Sequence, residues 1–596
     1  MRRHIAFSHA LAGSRPMFSH APARSRPGGG ALATFLFRLG LALALTLALA
    51  LLGTCAHAAT ITIVNLDGPG EGFNDPTPAA PVGGNPATTV GAQRLYVFQY
   101  AAHIWGNILQ SPVEILVDSN FDPLTCDGSS AVLGSAGPNT LHSDFPGAAH
   151  PMTWYHQALA NKLSGEDQDP TTSDIVAQFN SDIGKPECFP SPWYYGVDGH
   201  EGTAIELLPV VLHELGHGLG FSTSTIAGVE EVFPHIYDYF LFDDTQGMHW
   251  PDMTEGQRAA SAQNCSKLVW DGLAVSLEGP RRLGPKPLLR VNSPGTIAGD
   301  MEVGLPSFGP GLSTTAVTGD VVLVNDGQGV PTNGCEAFVN AAAVNGKIAL
   351  VDRGGCTFVT KVKNAQNAGA IGVVVADSVP GCPALGMGGA DPSITIPAVR
   401  VTTDDGARLK SALLLGAVNV TLVKDPSKKA GCDAQNHVLV FTPAPYQTGS
   451  SVSHWDMSAT PDLLMEPALN TSLSQDPDLT VEEFADIGWF TPAPVTGVAG
   501  PPVAARPRVS GFPNPTAGAA SIVYSLPRAE ENVELGVYDA GGRTVARFFE
   551  AHAAEGRHLI HWDGHDLAGR QVPAGVYSYR LRTPRYQQGN TVVVVR

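Results

Sequence analysis

Charge is scarce in this chain. Lysine, arginine, aspartate and glutamate make up 15% of its 596 residues, and the balance is acidic, with a formal net charge of −19. No basic patch interrupts the acidic balance, which argues against nucleic acid as a partner. A C-x-x-C pair is also missing, and with it the usual cysteine-based zinc site. The apolar run Leu39–Leu52 falls short of the ~20 residues that a membrane helix needs. Glycine (66) and proline (47) are by contrast plentiful, a mix that suits β-rich exported proteins with long loops. The chain is too long for one hydrophobic core, so about three or four domains are expected.

The first 58 residues read as a targeting segment. Arg2, Arg3, Arg15, Arg24 and Arg26 give a basic start, Arg38 precedes the apolar run, and Ala56-His57-Ala58 offers an A-x-A cleavage site. This segment holds six arginines and no acid, so its removal deepens the charge to −25. A secreted chain with no stable membrane span is expected. Seven cysteines remain, and export favours their pairing with one thiol left over.

From Ala59 the pattern is α/β. Thr60–Leu66 alternates and is β-branched, predicting a strand. Residues 67–91, rich in glycine, proline and asparagine, predict a loop. Leu95, Phe98, Ala102, Trp105, Ile108 and Leu109 recur at helical spacing and predict a helix over Ala92–Leu109. Strands follow at Val113–Val117 and Asp174–Phe179, with a short helix at Trp154–Leu163. A further helix, about Thr203–Leu219, carries Val210-Val211-Leu212-His213-Glu214-Leu215-Gly216-His217-Gly218-Leu219-Gly220-Phe221. Here H-E-x-x-H places His213 and His217 one turn apart on one face, where two imidazoles can share a metal ion. Glu214 beside them can take a proton from an attacking water. Gly220 can end the helix in a left-handed turn.

A zinc ion on this helix needs a third protein ligand. In the H-E-x-x-H-x-x-G-x-x-H pattern the last position is Thr223, a poor ligand. Glu230 and Glu231 come too soon after His217, with no convincing helix to carry them. The chain does hold Ser453-His454-Trp455-Asp456, then Leu463-Leu464-Met465-Glu466-Pro467. With H-E-x-x-H-x-x-G-F, these segments resemble the leishmanolysin-like metzincins, in which a distant histidine completes the site and a Met turn follows. The resemblance covers about residues 59–291 and 433–490. It implies a zincin protease domain of α/β (α+β) type, Zn2+ on His213, His217 and His454, Glu214 as general base, and Met465 as the apolar floor. His235 and His249 are expected to lie on the surface or in the core instead. Leu479–Trp489 predicts a closing helix, with Thr480 as N-cap and Glu483 completing a capping box.

Between the two halves, Gly346-Lys347-Ile348-Ala349-Leu350-Val351-Asp352-Arg353-Gly354-Gly355-Cys356-Thr357-Phe358, a helix from Lys361 and a buried strand at Ala370–Ala376 resemble a protease-associated (PA) domain. This implies a non-catalytic α/β module inserted over 292–432, covering the cleft or recruiting substrate. Residues 491–507 read as a linker. Over 508–596, strands at Ala520–Ser525, Val533–Asp539, Arg543–Glu550, Gly556–Trp562, Gly575–Thr583 and Thr591–Val595 predict an all-β Ig-like sandwich. The run Tyr538-Asp539-Ala540-Gly541-Gly542-Arg543 and the later Trp562-Asp563-Gly564 and Pro573-Ala574-Gly575 resemble FlgD-type C-terminal domains. These imply sorting by secretion machinery or attachment to the cell surface. Cys126 is expected to pair with Cys188, and Cys335 with Cys356 in the PA-like module.

The expected whole is a multidomain, secreted zinc endopeptidase acting on protein or peptide substrates. The alternative is a secreted or surface adhesin with a relic zinc site.

Overall fold

The computed structural model describes residues 58–225, 233–468, 475–490 and 508–595, except 513–515, 517–519, 527–528 and 554–555. The expected signal segment (but for Ala58), the linker, Glu230 and Glu231 lie outside the described residues. The chain divides into two compact units between Thr491 and Pro492.

The first unit opens with a four-stranded sheet. β1 (Ile61–Asn65), α1 (Val90–Ile108), β2 (Ile115–Asp122), β3 (Gly134–Pro138), α2 (Gln157–Ser164), β4 (Ile175–Asn180) and α3 (Leu207–Leu219) follow in chain order. The sheet runs β1-β2-β4-β3. β1, β2 and β4 are parallel, and β3 closes the edge antiparallel to β4. Thr89 caps α1 by accepting from the Ala92 N–H. α1 presses Val97, Phe98, Ala101 and Trp105 into the core, and the Trp105 indole N–H donates to the Leu212 carbonyl of α3 at 3.1 Å.

Two expected helices begin later than their apolar patterns suggest. Tyr155–His156 pairs with Leu141–His142 before α2 starts, and Ile205–Glu206 pairs with Trp193–Tyr194 before α3 starts. Cross-strand bonding takes those residues out of the helices.

The inserted module is a seven-stranded sheet. Its first strand, Pro285–Ser293, pairs antiparallel with its last, Asn419–Lys429, so the module leaves and returns at adjacent points. That first strand starts seven residues before the expected boundary at 292. Val317–Leu323, Ile348–Asp352, Gly372–Ala376 and Ala398–Val401 form its parallel part, with Phe358–Asn367 as a crossover helix and Thr403–Leu413 leading back to the antiparallel last strand. Cys265 and Cys382 bridge the module to the segment before it. Cys126–Cys188 and Cys335–Cys356 are also bonded, and Cys432 is a buried free thiol.

The segments flanking the module meet in a small sheet, where Val269 pairs with Leu439 and Trp270 with Val438. Helix α4 (Thr480–Ile487) closes the unit. Thr480 is its first residue rather than its N-cap. The Asp478 carboxylate accepts from the Thr480 N–H at 3.3 Å, and no capping box forms because Thr480 lies inside the helix and the buried Glu483 carboxylate makes no hydrogen bond among the described residues.

The second unit is all β. One sheet orders Arg508–Phe512, Ala520–Leu526 and Gly556–Trp562. The other orders Thr544–Ala553, Glu530–Tyr538, Gly575–Arg582 and Gln587–Val594. Leu535, Val537, Trp562, Tyr577 and Tyr579 are buried in its core.

Candidate metal centre

α3 is buried on nearly every side, with only His213 partly exposed. Pro209 sits in the first turn, where a missing N–H breaks no helical bond. Gly216 has no side chain because Met465 occupies its place: a Cβ there would stand 2.8 Å from the Met465 sulfur. Gly220 ends the helix at φ +145°, and a Cβ on it would meet Ile487 at 2.5 Å.

His454 arrives from the far side of the insertion. The Val438–Leu439 strand continues into Val440, which bridges Trp455, and the Phe441 N–H donates to the His454 carbonyl at 2.8 Å. Trp455 in turn donates its N–H to the Met465 carbonyl at 2.8 Å. The third histidine and the turn carrying Met465 are thus held by one backbone network.

His213, His217 and His454 converge. Their Nε2 atoms stand 3.1 Å (His213–His217), 3.2 Å (His217–His454) and 3.3 Å (His213–His454) apart. Each Nδ1 faces a backbone carbonyl: His213 that of Leu464 at 2.7 Å, His217 that of Phe221 at 2.8 Å, His454 that of Ser450 at 2.8 Å. A carbonyl can only accept, so each Nδ1 carries the proton. Burial keeps the rings neutral, holding His213 down to about 4, His454 to about 3, and His217 well below the usual range. A neutral imidazole has one N–H, so all three Nε2 atoms present bare lone pairs to one another. Three lone pairs at this distance repel unless a cation lies between them. Nitrogens bound tetrahedrally to zinc at ~2.0–2.1 Å stand ~3.3 Å apart, so the donor set fits zinc.

Glu214 is 7% exposed. Burial lifts its carboxyl to about 8, while the Ala136 N–H pulls the other way. That donor comes from the edge strand. Leu133 and Asn139 bond to Asn180 and Asp174; the alternation of an antiparallel ladder therefore turns Gly134 and Ala136 outward. A Cβ on Gly134 would lie 3.1 Å from a Glu214 carboxylate oxygen.

The other candidates lie apart from this cluster. Thr223 N–H donates to the Ser453 hydroxyl at 3.3 Å, and its own hydroxyl accepts from the Thr225 N–H at 3.0 Å. His235 is buried against the Ser224 hydroxyl at 2.6 Å, and His249 faces Asp271 at 2.7 Å. Sequence reasoning missed the three carbonyl acceptors and the Ala136 N–H. They are backbone groups on residues of unremarkable type, so no sequence signal marks them.

Residues 317–409 match the family model of the PA domain, and residues 514–585 that of the FlgD Ig-like domain. The chain is 40% identical over 90 residues to "Leucine aminopeptidase 2" of Trichophyton equinum, covering 15% of this chain and 18% of that protein. It is 29% identical over 176 residues to "ER degradation-enhancing alpha-mannosidase-like protein 3" of Homo sapiens, covering 28% and 19%. The chain thus spans about a fifth of the length of these curated relatives. Among solved structures it is similar to BSAP, a zinc aminopeptidase from Bacillus subtilis, at 22% identity over 25% of this chain and 35% of that one, with a TM-score of 0.18.

Proposed function

We propose that this chain is a secreted zinc endopeptidase of the leishmanolysin-like metzincin type, with the metal on His213, His217 and His454 and Glu214 as general base. The observation that carries the reading is the set of three bare Nε2 atoms within 3.3 Å of one another beside a buried carboxylate. Gly220-Phe221 directly after the motif, a third histidine 237 residues beyond His217, and Met465 under the helix support the family. The β1-β2-β4-β3 sheet with an antiparallel edge beside α3 supports a zincin fold.

Zinc held there would polarise a scissile carbonyl and make a water more acidic. With a dication beside it, Glu214 would ionise more readily than burial alone allows, and, fixed by the Ala136 N–H, it would take the proton from the attacking water and hand it to the leaving amine. The outer edge of β3 offers backbone groups to an extended peptide, which would lie along it as an added strand over Glu214. Its residues, Gly134-Ser135-Ala136-Gly137, are small and leave the approach open. Binding through the backbone suits the interior of a protein substrate.

The aminopeptidase similarity points to peptide hydrolysis in general. Its 90 residues are about as many as the 317–409 segment holds, and a mannosidase-like protein also shows similarity. A match of that length does not single out one chemistry. Three disulfides fit an oxidising, extracellular setting. The inserted module would recruit or cover substrate. The C-terminal unit would serve secretion or surface attachment.

The test is zinc analysis with hydrolysis of casein and of an N-acetylated quenched peptide, with and without chelator. Chelator-sensitive cleavage of both is expected. Cleavage of free N-termini alone would make the chain an aminopeptidase. A protein that neither cleaves nor regains zinc would fit the adhesin reading.

A further inference from the structure

The ring of His213 is held by more than its own helix. Its Nδ1 donates to the Leu464 carbonyl at 2.7 Å. The N–H of that same Leu464 donates to a carboxylate oxygen of Asp478. Asp478 is 7% exposed, and its second oxygen accepts from the Thr480 N–H at 3.3 Å and hydroxyl at 3.4 Å. Its backbone has φ +41°, a left-handed conformation that residues other than glycine seldom adopt. The fold thus keeps a strained residue where its carboxylate reaches both the Leu464 peptide and the start of α4.

The other two histidines lack this arrangement. The Phe221 N–H donates to the Gly216 carbonyl and the Ser450 N–H to the Gln447 carbonyl. The chains behind His217 and His454 therefore end on neutral backbone, whereas the chain behind His213 ends on a carboxylate.

We infer that Asp478 is a positioning residue for the metal centre: it fixes the backbone of Leu464, whose carbonyl holds the Nδ1 proton of His213 and keeps Nε2 turned to the metal. An acceptor held in place at Nδ1 locks the tautomer and keeps the Nε2 lone pair aimed at the metal. The inference rests on the proposed metal site.

The test uses the full chain stripped of metal by chelator and titrated at pH 8. Burial lifts the Asp478 carboxyl to about 7, so at pH 8 it is mainly an anion. Zinc affinity is read by competition with a chromophoric chelator, and cobalt(II) absorption reports the coordination geometry. Asp478→Asn sets an amide NH2 against one of the two N–H donors, Leu464 or Thr480, and is expected to weaken zinc binding ~10-fold or more and to shift the cobalt spectrum. Asp478→Glu, which restores the carboxylate, is expected to recover most of the affinity. Val275→Ala removes buried side chain from a helix that carries no metal ligand. It is expected to lower the melting temperature of the metal-free chain and leave zinc affinity unchanged. Should the asparagine variant not fold, Asp478→Ser is read in the same way, with the same loss expected. Wild-type affinity in the uncharged variant, or an equal loss in Val275→Ala, would overturn the inference alone. A wild-type chain that binds no zinc would overturn the metal site as well.

Discussion

In the proposed site Glu214 and the histidines beside it would do separable work, because the carboxylate bonds to Ala136 while the rings bond to carbonyls elsewhere. Glu214→Gln is therefore expected to retain zinc in metal analysis while kcat falls ~10²–10⁴-fold. His454→Ala would leave the proposed site two ligands and is expected to lose both zinc and hydrolysis. His249→Ala should change neither, since its ring faces Asp271 and Phe242. His235→Ala should keep zinc stoichiometry but lower the melting temperature, because that ring is buried against Ser224. His454 could be picked out in the sequence because two ligands on a helix leave zinc one short and Thr223 is a poor third. The acceptors behind the rings could not, since a carbonyl oxygen belongs to every residue alike.

At the level of elements, α3 was legible in its apolar run and its H-E-x-x-H spacing. Its start was not, because Ile205–Glu206 belongs to a two-stranded pairing that only the tertiary fold creates. β3 was invisible for a different reason. Gly-Ser-Ala-Gly-Pro has no β-branched or aromatic residue, and it is a strand because β4 offers an unpaired edge. This strand nonetheless supplies the N–H that holds Glu214. Since Ala136 faces out of the ladder, Ala136→Pro removes that donor without breaking a β3–β4 bond. Expected are a kcat/KM lowered ~10-fold, in line with the loss of about 1.4 kcal/mol of hydrogen bonding, and a nearly unchanged melting temperature. A collapse of both together in thermal and kinetic assays would mean that Ala136 lies inside the ladder.

Across the whole molecule, the insertion is accommodated because its first and last strands pair, Pro285 opposite Lys429. The Cys265–Cys382 bond adds a covalent tie across 117 residues. Replacing both cysteines by serine is expected to cost ~2–4 kcal/mol, read by denaturant unfolding. Glu466 sets a pH dependence. Burial, with Asp462, Asp456 and Asp478 nearby, pushes its carboxyl up to about 9. A pKa raised in the folded state favours folding while the group is neutral. That contribution is complete below about 4.5, the usual glutamate range, and is lost as pH rises toward 9. The melting temperature of the metal-free chain should fall from pH 5 to pH 9, and Glu466→Gln should flatten the decline. An unchanged slope in that variant would remove Glu466 as its source.

The sequence by itself determined the chemistry-bearing residue types, the helical spacing of His213 and His217, and the PA-like and FlgD-like segments. Each of these is written in local spacing or in a long contiguous motif. Only the tertiary structure decided which backbone groups face the histidines, that Asp478 accepts from the Thr480 N–H at the start of α4, that Cys265 pairs with Cys382, and that β3 forms the edge beside Glu214. The Leu464 carbonyl behind His213, the Cys265–Cys382 bond and β3 beside Glu214 depend on segments far apart in sequence meeting, while the contacts of His217 with Phe221, His454 with Ser450 and Asp478 with Thr480 are local and depend on backbone turns that the fold sets. Periodicity and composition carry no record of such meetings.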